Sequence, residues 1–166
     1  MPAALRQADL GTDVVEIGPG PGFTTDVLAA LTDHLTAVEV DPDLAAALKA
    51  RLSATNVEVV CADAAALEFP DDQFTGAASF HMLHHIPTAE AQNRAFAELA
   101  RVLKPAGVLV AADGVFSDGS RRFHEGDTYN PIDPDGLADR LGDVGFTSVD
   151  VHTHDLGWFC TAVAAT

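Results

Sequence analysis

Early in the chain a short apolar run, Asp13-Val14-Val15-Glu16-Ile17, stops at Gly18-Pro19-Gly20-Pro21-Gly22 and gives way at Phe23 to a helical pattern. A strand, a glycine-rich turn and a helix in that order constrain the fold more than any other feature. Glycine lets a backbone bend this sharply and lets a ligand lie against it. The spacing is GxGxG, so the third glycine comes one residue earlier than in the GxGxxG of dinucleotide-binding loops, where Phe23 now stands. Pro19 and Pro21 lack the N–H donors on which a pyrophosphate cradle depends. The turn therefore suits an adenosine ligand without phosphates, and it opposes a nicotinamide-dependent oxidoreductase.

Strand-like and helix-like segments alternate through the rest of the chain, which predicts a parallel sheet covered by helices on both faces. Strands are expected over residues 13–17, 35–40, 56–61, 74–80 and 108–112, and helices over 23–31, 42–52, 89–103 and 134–144. Asp41 reads as the N-cap of the second helix, with Pro42 at its first position. Residues 146–152 and 158–164 can pair as a terminal hairpin. Residues 114–133 are polar and carry Gly114, Gly119, Gly126 and Pro131, so they read as a long loop of the kind that tends to be functional.

With 166 residues, 48% of them hydrophobic, one domain is expected over 1–166, residues 1–12 forming a short leader. Nine Lys and Arg against 25 Asp and Glu leave a formal charge of −16, which repels a phosphate backbone and argues against nucleic acid as partner. The first residues lack the apolar core of a signal peptide and no later run approaches a membrane span, so the expectation is a cytoplasmic protein with no membrane partner. Cys61 and Cys160 have no CxxC spacing and are expected to be small core residues.

The second strand ends in Glu39-Val40-Asp41, about 20 residues after the loop, where Rossmann folds place a carboxylate that accepts from both ribose hydroxyls. Glu39 is the candidate. Val15-Glu16-Ile17-Gly18-Pro19-Gly20-Pro21-Gly22 resembles the first motif of the class I S-adenosylmethionine-dependent methyltransferases, and Ala37-Val38-Glu39-Val40-Asp41 resembles their ribose-binding strand end. Cys61-Ala62-Asp63-Ala64 with Leu67-Glu68-Phe69-Pro70 is similar to the segment that meets the adenine. Asp72-Gln73-Phe74 through Leu83-His84-His85-Ile86 is similar to the fourth-strand motif of the small-molecule, type 11 branch. Arg101-Val102-Leu103-Lys104-Pro105-Ala106-Gly107 continues the likeness, which covers nearly the whole chain from Asp13.

The resemblance implies a Rossmann-like, doubly wound α/β fold: a mostly parallel seven-stranded sheet with an antiparallel C-terminal strand and helices on both faces. It implies S-adenosyl-L-methionine as cofactor, held by Glu16, Gly18, Pro19, Gly20, Gly22, Glu39, Val40, Asp63, Ala64 and Phe80. Asp63 would accept from the adenine amine. The implied reaction is methyl transfer to a small-molecule acceptor, and a non-catalytic binding module is the alternative. The ribosomal RNA adenine dimethylating enzymes share the glycine loop but carry an Asn/Asp-Pro-Pro-aromatic motif where this chain has Ser79-Phe80-His81-Met82.

Two departures stand out. Thr75 follows Phe74 where relatives usually have an acid, and only about a dozen residues precede Val14 where relatives usually carry closing helices. That leaves an open cofactor site, a site lidded by a partner subunit as in a homodimer, or a shortened chain. An oxygen or nitrogen acceptor can need a base near neutral pKa, and His81, His84 and His85 cluster after the fourth strand as catalytic candidates. His124, Tyr129 and Asn130 are weaker candidates for lining the acceptor pocket. His152 and His154 can share one face of a strand, but no recognisable ligand spacing accompanies the histidines, and no metal is expected.

Overall fold

The computed structural model describes residues 8–166. Seven strands form one sheet: β1 (Asp13–Ile17), β2 (His34–Glu39), β3 (Val57–Cys61), β4 (Phe74–Phe80), β5 (Leu103–Gly114), β6 (Phe146–His154) and β7 (Gly157–Ala164). Their order is β3-β2-β1-β4-β5-β7-β6. Neighbours from β3 to β5 are parallel, and β7 runs antiparallel to both β5 and β6. The expected Rossmann-like sheet is thus present. Its helices are α1 (Phe23–Ala29), α2 (Pro42–Leu52), α3 (Ala89–Val102), α4 (Asp118–Phe123) and α5 (Leu137–Asp143), with single 3-10 turns at Leu83–His85 and Pro134–Gly136.

β1 lies between β2 and β4, and alternation along it feeds two cores. Val15 and Ile17 pack with Phe96, Leu99, Leu141 and Trp158 beneath α3 and α5. Val14 packs with Leu28 of α1, Leu35 and Val110 on the opposite face. The Asp41 carboxylate accepts the Asp43 and Leu44 N–H groups at the start of α2, as its N-cap position predicts. Thr88 caps α3 through the Ala91 N–H. Between β3 and β4 the chain crosses without a helix. Arg101 of α3 holds that crossing by donating to the carbonyls of Leu67 and Phe69 and pairing with Asp71 and Glu98.

Several expectations need correction. Residues 114–133 contain α4, a short helix that Gly119 and the polar composition hid, with Arg121 and Arg122 in its last turn, where cations suit the helix dipole. The helix expected over 134–144 begins as a 3-10 turn and becomes α-helical only from Leu137. β5 begins at Leu103 directly after α3, but its pairing with β4 is interrupted between Leu103 and Val108, where Pro105 and Gly107 stand, so the regular ladder runs from Val108 as expected. Cys160 is buried as expected but Cys61 is exposed: it shares a face with the buried Val59 but is the last residue of the edge strand β3.

Thr75 resolves the first departure from the family pattern. Its Oγ1 accepts the Asp13 N–H at 3.0 Å and lies 2.9 Å from the Leu10 carbonyl and 3.0 Å from that of Asp13, one of which takes its proton. The hydroxyl therefore clips the start of β1 to β4. Thr75→Val keeps the volume and strands these backbone groups. It should lower stability by about 1–3 kcal/mol in urea unfolding; an unchanged midpoint would mean that the clip contributes nothing.

Candidate functional site

The sheet reverses its winding between β1 and β4, and in open α/β sheets that switch point opens a crevice at the carboxyl ends of the strands. The glycine loop sits there. A Cβ on Gly18 would lie 1.9 Å from Cγ of Met82, so this glycine exists to let the segment after β4 press against the loop. Gly20, at φ +53°, differs: a Cβ there would meet nothing within 4 Å. Its bareness serves no contact within the described chain and leaves space for a ligand. Arg51 of α2 braces the loop from behind, donating to the Pro21 and Gly22 carbonyls and pairing with Asp26 of α1.

Two carboxylates border that space. Glu39, 6% exposed, accepts the Gly20 N–H at 2.9 Å and the Asp41 N–H at 3.0 Å. A carboxylate has about four acceptor directions, so roughly two remain for ligand hydroxyls. Glu16 shares the α1-facing side of β1 with Val14 and is 1% exposed. Its Oε2 and the Oγ1 of Thr25 are buried, and the Thr25 hydroxyl neighbours the carboxylate, although no well-formed hydrogen bond joins either atom to the described residues. Burial pushes the Glu16 carboxyl up to about 7, with the Thr25 hydroxyl opposing the shift and Asp26 adding to it. A buried acceptor without a donor awaits a cation or an N–H group. An amino acid ammonium beside Glu16 and ribose hydroxyls beside Glu39 are what S-adenosylmethionine carries, so the residues fit the cofactor that the resemblance implies.

The other cofactor candidates are placed as follows. Pro19 and Gly22 are buried parts of the loop, while Val40 is 66% exposed at the end of β2. Asp63 is exposed beyond β3, its Oδ1 accepting the Ala65 N–H, and Ala64 is buried beside it. Phe80 packs into the core with Leu28 and Val110.

Beyond β4 and β5 lies a second group, which sequence reasoning saw only in part. His84 is buried, and its Nδ1 meets Oδ1 of Asp113 at 2.5 Å while its backbone N–H donates to Oδ2 of the same residue. Asp113, 1% exposed at the end of β5, was missed. Its place at a strand's carboxyl end was the available signal. An ionised carboxylate only accepts, so Nδ1 of His84 is the donor in this contact and Nε2 is the nitrogen turned away from Asp113. The His85 ring lies 4.2 Å from that of His84, and its Nδ1 is 3.3 Å from Oδ2 of Asp127. Burial and the neighbouring His84 hold His85 below the usual histidine range.

The long loop brings in His124, 4.9 Å from His84 and stacked on Tyr129. His81, exposed and at φ +54°, stands outside this three-imidazole group among the described residues. His152 and His154 are on edge strand β6, engaged with Asp150 and the Leu156 N–H. Gln92, buried in α3 and also missed, donates to the Leu83 and Asn130 carbonyls, and Asn130 in turn donates to those of His84 and Ile86. A cavity of about 740 Å³ adjoins the imidazoles, lined by Phe116, Arg121, Arg122, His124, Asp127 and Tyr129 among others. It is built by the segment after β5, which also supplies His124, and is of a size for a small molecule.

Residues 15–111 match the methyltransferase domain family. A protein of Mycobacterium tuberculosis named a probable S-adenosylmethionine-dependent methyltransferase is 31% identical over 144 residues, which are 82% of this chain and 49% of that protein. A probable ribosomal RNA small subunit methyltransferase A of Methanothermobacter thermautotrophicus is 48% identical over 69 residues, 40% of this chain and 25% of that protein. The chain therefore spans half or less of the length of these curated relatives. In fold it is similar to phosphoethanolamine N-methyltransferase 2 of Haemonchus contortus, solved with phosphomonomethylethanolamine and S-adenosylhomocysteine. The TM-score is 0.82 at 16% identity, over 99% of this chain and 52% of that one.

The buried Glu16 generates a pH-dependent prediction. Its folded pKa of about 7 lies above the ordinary value of 4.5. Its contribution to folding is therefore fully present below about 4.5 and is lost as pH rises towards 7, a change on the order of 3 kcal/mol. Without ligand, Glu16→Gln should be more stable than the wild type at pH 8 by about 2–3 kcal/mol, and the difference should vanish near pH 5. Urea unfolding across that range checks it; parallel pH profiles would mean that Glu16 is not held protonated by burial.

Proposed function

The chain belongs to the methyltransferase domain family, and from that premise we propose that it transfers a methyl group from S-adenosylmethionine to a small-molecule acceptor. The observation that carries this reading is the buried Glu16 carboxylate, without a well-formed hydrogen bond on Oε2, on the strand that leads into a loop whose central glycine faces open space. When bound, the cofactor supplies an electrophilic methyl group on a sulfonium. Glu16 and the Gly20 backbone hold its amino acid end, Glu39 its ribose, and Val40, Asp63 and Ala64 its adenine.

The remaining work is alignment and exclusion of water, since an in-line displacement needs no covalent protein nucleophile. Met82 pressed on Gly18 ties the segment bearing His84 and His85 to the cofactor loop, so acceptor and donor sites are built on one support. We assign acceptor activation to His84 and His85, with Asp113 as the residue that positions His84. His81 lies outside their cluster and has no assigned part.

Ribosomal RNA is the rival acceptor, brought in by the names of several relatives. The charge of −16 and the Ser79-Phe80-His81-Met82 segment favour a small acceptor over it.

Calorimetric titration tests the cofactor assignment. S-adenosylmethionine and S-adenosylhomocysteine should bind and NAD should not. Glu39→Ala should weaken both sulfur ligands alike by about 1–3 kcal/mol, because the ribose loses a charged acceptor and the loop loses its anchor; unchanged affinity would remove Glu39 from the site. Radiolabelled methyl transfer to a metabolite library and to ribosomal RNA then separates the acceptors. Label in RNA alone would overturn the small-molecule reading, and binding without turnover of either would leave a binding module.

A further inference from the structure

Three features of the imidazole cluster exceed what positioning an acceptor requires. His84, His85 and His124 each offer a ring nitrogen, and these atoms all lie within 4.8 Å of one another. Two of the rings have Nδ1 turned to a carboxylate, His84 to Asp113 and His85 to Asp127. Carboxylates on Nδ1 are the usual outer partners of metal-bound histidines, fixing the tautomer and raising the basicity of the other nitrogen. The cluster also borders a cavity wide enough for an exogenous ligand.

We propose that His84, His85 and His124 bind a divalent first-row transition ion of the Zn²⁺ type, leaving at least one coordination position open to the cavity. Three neutral imidazoles suit Zn²⁺, Ni²⁺ or Co²⁺, whereas Mg²⁺ and Ca²⁺ take oxygen ligands. Metal–nitrogen bonds of about 2.0–2.1 Å require the nitrogens to approach to roughly 3.3 Å, a closure within reach of side-chain rotation. His124 comes from the loop between β5 and the Pro134–Gly136 turn, so the ion would also fasten that loop over the cavity. An oxygen of the acceptor on the open position would be polarised and would release its proton to solvent in the cavity, so that His84 and His85 would act through the ion they hold rather than as bases. That use rests on the methyl-transfer reading, but binding of the ion does not.

The test therefore reads metal binding directly. The full chain, free of any polyhistidine tag and stripped with a chelator, is titrated with Zn²⁺ and with Co²⁺, following heat and the visible absorption of Co²⁺. One ion per chain is expected, with nitrogen neighbours at about 2.0–2.1 Å by X-ray absorption. His124→Ala should lower affinity at least tenfold and Asp113→Asn by about 10–100-fold, while His152→Ala leaves it unchanged. Substituting His124 leaves the buried His84–Asp113 pair in place, so this variant carries the test even if His84→Ala does not fold. Wild-type affinity in folded His124→Ala, or no binding above that of the His84→Ala and His124→Ala variants, overturns the proposal. Methyl transfer measured on the same samples then stands or falls separately.

Discussion

A strand flanked on both sides by parallel partners has no backbone group left over, and β1 is such a strand. Whatever polar chemistry it carries must be settled by side chains at its carboxyl end. There it places Glu16, a buried carboxylate whose Oε2 makes no well-formed hydrogen bond with the described residues. Leaving a buried acceptor unpaired costs on the order of 1–3 kcal/mol, a cost typical of sites that keep part of their stability in reserve for a ligand. The neighbouring features follow from the same reversal of the sheet. The glycine loop fills the crevice between β1 and β4, and Glu39 at the end of β2 ties that loop down through the Gly20 N–H.

The two halves of the site are joined by packing rather than by hydrogen bonds. Met82 occupies the place a side chain on Gly18 would need, so the turn carrying His84 and His85 cannot move without disturbing the cofactor loop. Behind the turn, Gln92 and Asn130 bind its carbonyls to α3 and to the long loop. Asp113 holds His84 from a third direction. Such support keeps reacting groups in register, which is most of what a displacement at an activated methyl group asks of a protein.

The fold is shared with proteins of varied acceptors, and fold alone names none of them. On the β5 side a cavity brings Arg121 and Arg122 together with Glu125, Asp127 and His124. Both signs of charge meet there, so its polar groups select a bound molecule by position rather than by net charge.

The sheet and the cofactor cradle were legible because they depend on local rules. A period of two along β1, glycines where φ must be positive, and a carboxylate about one β-α-β step after the loop can each be read within a few residues. Asp41 as a cap and Phe74–Phe80 as a strand were legible for the same reason. The acceptor side was not. Asp113 meets His84 across 29 residues and His124 meets it across 40, and no spacing rule links positions so far apart. Cys61 and Thr75 make the same point from the other direction: an apolar-looking residue at the very end of β3 is exposed, and a missing acid was replaced by a hydroxyl that reaches β1. The sequence alone determined the parallel sheet and the glycine turn after its first strand, because these rest on backbone geometry and short-range pattern. Only the tertiary structure decided which histidines come together and which carboxylates hold them, because that depends on how distant strand ends are brought to one edge of the sheet.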